Sequence, residues 1–176
     1  MNVADCFKNE KDCIALGGST ILNKYGLLDR EVSDVDYVVS DLAYDFLTFV
    51  TKLSELTIDK NNPYTEEEYR YQSGAANKRL GITKHIRFEF NGKMHCVFVM
   101  RHKTFVAHTR VTGLGGVETK ISFIRLAKRT YLDFLPKKSE AYAKHFNDLQ
   151  HIEYEIKQMT SDLAELQLKY DIVTFI

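Results

Sequence analysis

The order of elements written in the sequence predicts an α+β fold with a helical C-terminal part. Three observations carry that expectation. Short apolar runs alternate with helical patterns over the first half of the chain. An Asn91-Gly92 dipeptide joins two β-rich segments. From about Glu118 onward the pattern turns wholly helical.

In chain order, "CIALGG" is an apolar strand ending in glycines, and "STILNKYGL" reads as a helix opened by Ser19 and closed near Gly26. "SDVDYVVS" begins polar and turns β-branched and aromatic, as a strand does. "DLAYDFLTFVTKLSEL" sets Leu42, Phe46, Phe49, Val50 and Leu53 on one helical face, with Asp41 as its expected N-cap. The polar stretch around Pro63 is expected to be a loop with one short helix. "HIRFEF" and "KMHCVFVM" then flank Asn91-Gly92, the pair favoured in type I′ turns because both central residues take positive φ. "ETKISFIRLAKRTYLDFL" and "KSEAYAKHFNDLQHIEYEIKQMTSDLAELQLKY" complete the chain as two or three helices. The expected division is a core over 1–112 and a helical part over 113–176, packed as one compact unit.

With 176 residues, 44% of them hydrophobic and only 2 prolines, the composition is that of a globular domain with a sizeable core. Lys+Arg and Asp+Glu balance at 24 each, so no overall field draws the protein to nucleic acid or an anionic membrane. Cys6, Cys13 and Cys96 stand at no metal-ligand spacing and read as reduced thiols. The N-terminus lacks the apolar run of a signal peptide, and no window holds the roughly 20 apolar residues that span a bilayer. A cytoplasmic protein without a membrane partner is expected. The six histidines are scattered without zinc spacing.

Chemistry concentrates in "GGSTILNKYGLLDREVSDVDYVV". A strand followed by Gly17-Gly18-Ser19 at a helix start offers backbone N–H groups to an anion, and glycine lets the backbone come close. On the next strand Asp34 and Asp36 are two apart and share a face. Two carboxylates side by side repel unless a cation lies between them, and hard oxygen ligands suit Mg²⁺ carried with substrate phosphates. Either half alone has a plainer use, the glycines as a turn and the acids as a solvated strand end. Together they are the equipment of phosphoryl or nucleotidyl transfer.

This stretch resembles the signature of the DNA polymerase β-type nucleotidyltransferase superfamily: Gly-Gly/Ser, a short helix, then an Asp-x-Asp strand. The wording is closest to its small bacterial and phage branch, which includes abortive-infection and toxin–antitoxin nucleotidyltransferases. The resemblance is strong over about Ala15–Val39 and loose over Ile121–Ile152; the Ser19-to-Asp34 spacer is a few residues longer than usual, with an added loop around "LLDREV".

The resemblance implies a mixed sheet with flanking helices. It also implies an NTP substrate held by Gly17, Gly18 and Ser19, and Mg²⁺ or Mn²⁺ on Asp34 and Asp36. Lys128 would steady phosphate charge, and an NMP would pass to an acceptor hydroxyl of an RNA end, a protein or a small molecule. Many members use a third acid on a neighbouring strand, whereas "KMHCVFVM" has none and offers His95 or Cys96 near that position. Glu89 is the one acid in the hairpin strands and faces metal or water according to sheet order. Asp148, near Lys144 and His145, could substitute as the catalytic acid, or form a plain i,i+4 pair with Lys144.

The alternative is a catalytically degenerate relative that binds a nucleotide or a protein partner. A homodimer or an antitoxin-like partner would use the last helix, with Leu163, Leu166, Leu168 and Ile172. Arg101, His102, Lys103 and Arg110 suit a small nucleic-acid or triphosphate patch or a solvated strand end. Neutral net charge disfavours a large polynucleotide acceptor.

Overall fold

The computed structural model describes residues 2–56, 74–113 and 115–170, with side chains described as far as residue 162. Two 3₁₀ turns, Val3–Cys6 and Lys8–Cys13, lead into β1 (Ile14–Gly17) and α1 (Gly18–Lys24). There follow β2 (Val35–Ser40), α2 (Tyr44–Leu56), the helical residues 74–79 (α3), β3 (Ile82–Phe90) and β4 (Lys93–Met100). The chain continues through α4 (His102–His108), β5 (Thr109–Val111), β6 (Val117–Thr119), α5 (Ile121–Phe134) and α6 (Glu140–Tyr170). The strands form one mixed six-stranded sheet in the order β3-β4-β2-β1-β6-β5. β2 runs antiparallel to β1 and parallel to β4, so it lies inside the sheet with a partner on each side.

The sheet is covered on both faces because its strands are apolar at successive positions. Tyr37, Val39, Val97, Val99, Ile86 and Phe88 pack with Phe46 and Val50 of α2. Ala15, Val38, Ile82 and Met100 pack with Phe105 of α4 and Phe123 of α5. A third cluster joins Ile21 and Leu22 of α1 to Leu27, Leu28, Ile124 and Ile152, fastening α6 to the α1 side. Fully burying each such side chain contributes about 1.5–3 kcal/mol.

Several expectations about these elements hold. Asn91 and Gly92 have φ of 53° and 73°, as a type I′ turn requires. α1 ends as expected, Gly26 taking φ 68° and donating its N–H to the Asn23 carbonyl.

Others change. α1 begins at Gly18 with Gly17 as its cap, so Ser19 lies inside the first turn rather than capping it. Asp41 does not cap α2; its carboxylate accepts from the His102 N–H. Glu10, from the preceding 3₁₀ turn, instead accepts from the N–H groups of Asp45 and Phe46 at 3.1 and 2.9 Å. Leu42 precedes the helix and is 43% exposed, and Phe49 is 39% exposed at the rim of the buried stripe. The helical reading from Glu118 overreached, because Val117–Thr119 is a strand beside β1. A division at 112 would cut the β5–β6 hairpin, which the sheet shares. The loop expected around Pro63 and the side chains of Leu163, Leu166, Leu168 and Ile172 lie outside the described residues. Among the described residues, no helix is long and apolar enough to cross a membrane.

Candidate functional site

Sheet register aligns the candidate residues before any side chain is considered. Gly17 of β1 stands opposite Asp36 of β2, Asp36 beside Cys96 of β4, and Cys96 opposite Arg87 of β3. Residues in register share a face, and alternation puts Asp34 and Val38 on that face with Asp36. Above it, α5 and the start of α6 enclose a cleft of about 270 Å³. Ser19, Asp34, Asp36, Lys128 and Lys144 make one part of its lining polar. Val38, Phe98, Phe123, Ala127, Tyr131 and Leu135 make the rest apolar.

The turn after β1 is shaped around Asp36. Gly18 adopts φ +51°, and a Cβ built there would lie 2.0 Å from Asp36 Oδ2. The carboxylate occupies the space a side chain would need. Burial first, then the Asp34 charge, push the Asp36 carboxyl up to about 6, against the pull of Lys128, Lys144 and the Ser19 backbone. Ser19, in the first turn of α1, lines the cleft beside Asp36. α1 has only seven residues, so its dipole adds little beyond these local groups.

Lys128 projects from α5 into the cleft and is 5% exposed. Burial lowers its pKa, opposed by Asp148, to which the ammonium donates at 2.9 Å. His145 Nδ1 lies 3.4 Å from the same Nζ. Burial, then Lys128 and Lys144, drive the His145 ring down to about 3, so it is neutral and its Nδ1 can accept. The neighbouring Arg129 points away and donates to Glu153.

Asp148 is 2% exposed and makes no exposed pair with Lys144. Its carboxylate receives Lys128 together with a two-pronged contact from Arg30, Nε at 2.8 Å and Nη2 at 2.7 Å. Burial works to raise its pKa, but the Arg30 hydrogen bond and Lys128 outweigh it and hold the group at about 2. Arg30 belongs to the connection between α1 and β2, and its Nη2 also donates to Ser19 Oγ at 3.2 Å. Nothing local in "LLDREV" marks this residue, because its two-pronged partner Asp148 lies 118 positions along the chain.

Cys96 and His95 part company by strand alternation. Cys96 lines the cleft beside Asp36, with its thiol pushed up to about 12 by burial and the neighbouring carboxylate. His95 turns to the other face, stacked on Phe88 at 4.9 Å and within 3.1 Å of the Tyr37 hydroxyl. Glu89 is exposed and does not line the cleft; β3 pairs with β4, which leaves a whole strand between Glu89 and β2. Arg110 is drawn to Glu118, and His102 to Ser40, so the basic segment 101–110 does not converge on the cleft.

Among the described residues, no group of three or more His, Cys, Asp and Glu is placed to hold a metal ion. Asp34 and Asp36 are hard-oxygen donors on the cleft, one of them under a desolvation penalty that a cation relieves. That set fits Mg²⁺ or Mn²⁺ as the protein's share of a shell completed by substrate phosphates and water. It does not make an all-protein cage. Compared with known proteins, the chain matches no family model, and no curated protein and no solved structure matches it.

Proposed function

We propose that the chain is a metal-dependent nucleotidyltransferase, on a nucleotidyltransferase-like fold, that moves an NMP from an NTP to an acceptor hydroxyl. One observation carries the reading: Gly18 and Ser19, the acids Asp34 and Asp36, and the buried cation Lys128 all line a single cleft. Asp34 and Asp36 would hold the divalent cation, which when bound neutralises triphosphate charge and polarises the α-phosphate. Lys128, fixed by Asp148, presents its ammonium to non-bridging oxygens, and Lys144 adds a second charge. The Ser19 hydroxyl donates beside them. Lys128 is itself buried, so its contact counts for more than it would in bulk solvent. The acceptor oxygen then bonds the α-phosphorus as the bond to pyrophosphate breaks, and the hydroxyl proton passes to the departing pyrophosphate. Asp148, clamped by Arg30 and Lys128 and held at about 2, positions Lys128 rather than taking a proton.

A second reading, nucleotide binding without turnover, is favoured by Cys96. The β4 position beside Asp36 carries a neutral thiol, which neither takes a proton nor suits a hard cation. Titration calorimetry of each NTP with Mg²⁺, on wild type and on Asp34→Asn/Asp36→Asn, tests the site. Metal-dependent binding with Kd of order micromolar, lost in the double variant, is the expected result. Transfer of label from α-labelled NTP then supports the enzyme, and binding without transfer supports the second reading. Absence of binding to any NTP overturns both.

A further inference from the structure

We infer that Arg30 is a positioning residue that presets Ser19 and Lys128 as donors to an anionic oxygen. The inference rests on the polyphosphate reading of the cleft and adds to it a residue outside the cleft wall. Arg30 does not line the cleft; it reaches the site through Ser19 and Asp148. A serine hydroxyl carries one hydrogen and two lone pairs. The Arg30 Nη2–H occupies a lone pair of Ser19 Oγ at 3.2 Å, so the hydroxyl hydrogen is left to point elsewhere. The hydroxyl is therefore a donor in want of an acceptor on a cleft that also presents Lys128 and Lys144, and the matching ligand group is a phosphate oxygen.

The same guanidinium holds the opposite wall. Its Nε and Nη2 grip both oxygens of Asp148, and Oδ2 of that carboxylate receives the Lys128 ammonium at 2.9 Å. Arg30 is joined to Ser19 at the start of α1, and through Asp148 of α6 to Lys128 of α5. A planar fork satisfies this geometry and a point charge does not, so lysine is no equivalent here. The α1–β2 connection, longer than is usual in the family the stretch resembles, carries the residue that ties these donors together.

A double-mutant cycle with Mg²⁺-tripolyphosphate as the probe tests the inference by calorimetry, using Arg30→Met, Ser19→Ala and the double variant. Arg30→Met is expected to weaken binding about a hundredfold in the Ser19 background and about tenfold in the Ser19→Ala background, where only the part acting through Asp148 and Lys128 remains. A purely structural role predicts an equal loss in both backgrounds, and that result overturns the inference. So does an Arg30→Met protein that binds as wild type. Should Arg30→Met fail to fold, Arg30→Lys replaces it in the same cycle, where unequal losses again support the role and equal losses overturn it. Wild type that binds neither tripolyphosphate nor any NTP removes the polyphosphate reading itself. Wild type that binds, with no coupling in the cycle, removes only the role of Arg30.

Discussion

At Gly18 the demand for glycine is double: φ is +51°, and the space a Cβ would fill holds the Asp36 carboxylate. Gly26 separates the two effects, since it has φ +68° with nothing within 4 Å of an added Cβ. Gly26→Ala should cost about 1 kcal/mol of backbone strain and leave nucleotide affinity unchanged. Gly18→Ala should cost about 2–4 kcal/mol, because Asp36 must also move, and should weaken Mg²⁺-NTP binding at least about tenfold. Denaturant unfolding and calorimetry on the pair read both quantities. At this scale much was legible in the sequence. Period-two alternation placed Asp34 and Asp36 together, whereas Lys128 was named only through the family resemblance and its burial was not legible. The commitment of Asp148 to Arg30 was not legible, since residues 118 positions apart leave no local signal.

Among the elements, β6 shows most clearly what pairing adds to propensity. Three residues carry no readable period, yet Val117–Thr119 is a strand because β1 and β5 flank it. Glu118 on β6 is 4% exposed and joins three elements: it accepts from Lys24 and Tyr25 at the end of α1 and from Arg110 of β5. Burial alone would raise its pKa, but these three donors prevail and hold it at about 2, below the ordinary 4.5. A carboxylate depressed in the folded state adds stability above its unfolded pKa and loses it as pH falls through the folded one. Glu118→Gln should therefore cost about 1–3 kcal/mol at neutral pH, with the gap to wild type closing between about pH 4.5 and pH 2. The cost should sit toward the low end, because Lys24 and Arg110 are more than half exposed and regain water. Guanidinium unfolding of both proteins across that pH range measures it.

For the whole molecule, the sheet order ranks the strands by protection. β2 is paired on both sides, and its Tyr37, Val38 and Val39 are buried. β5 is a three-residue edge strand with Val111 77% exposed. In amide exchange followed by mass spectrometry or NMR, β2 and β4 should open only with global unfolding, and β5 at least about a hundredfold faster. Equal rates would mean that the sheet opens as one unit. The balanced charge of 24 against 24 also acts at this scale, because no global field gathers polyphosphate. On the proposed reading, attraction comes from Lys128, Lys144 and the groups Arg30 organises.

The sequence by itself determined the alternation of strands and helices, the Asn91-Gly92 hairpin, and the common face of Asp34 and Asp36. Each is a matter of local conformational preference or of spacing along one strand, and such information is complete within a few residues. Tertiary structure alone decided that Cys96 and not His95 stands beside Asp36, that Glu89 lies a strand too far, and that Arg30 reaches Lys128 through Asp148. These depend on register, strand order and long-range ion pairing. Their energies arise only once distant segments share a buried surface, where a charge must find a partner or cost several kcal/mol.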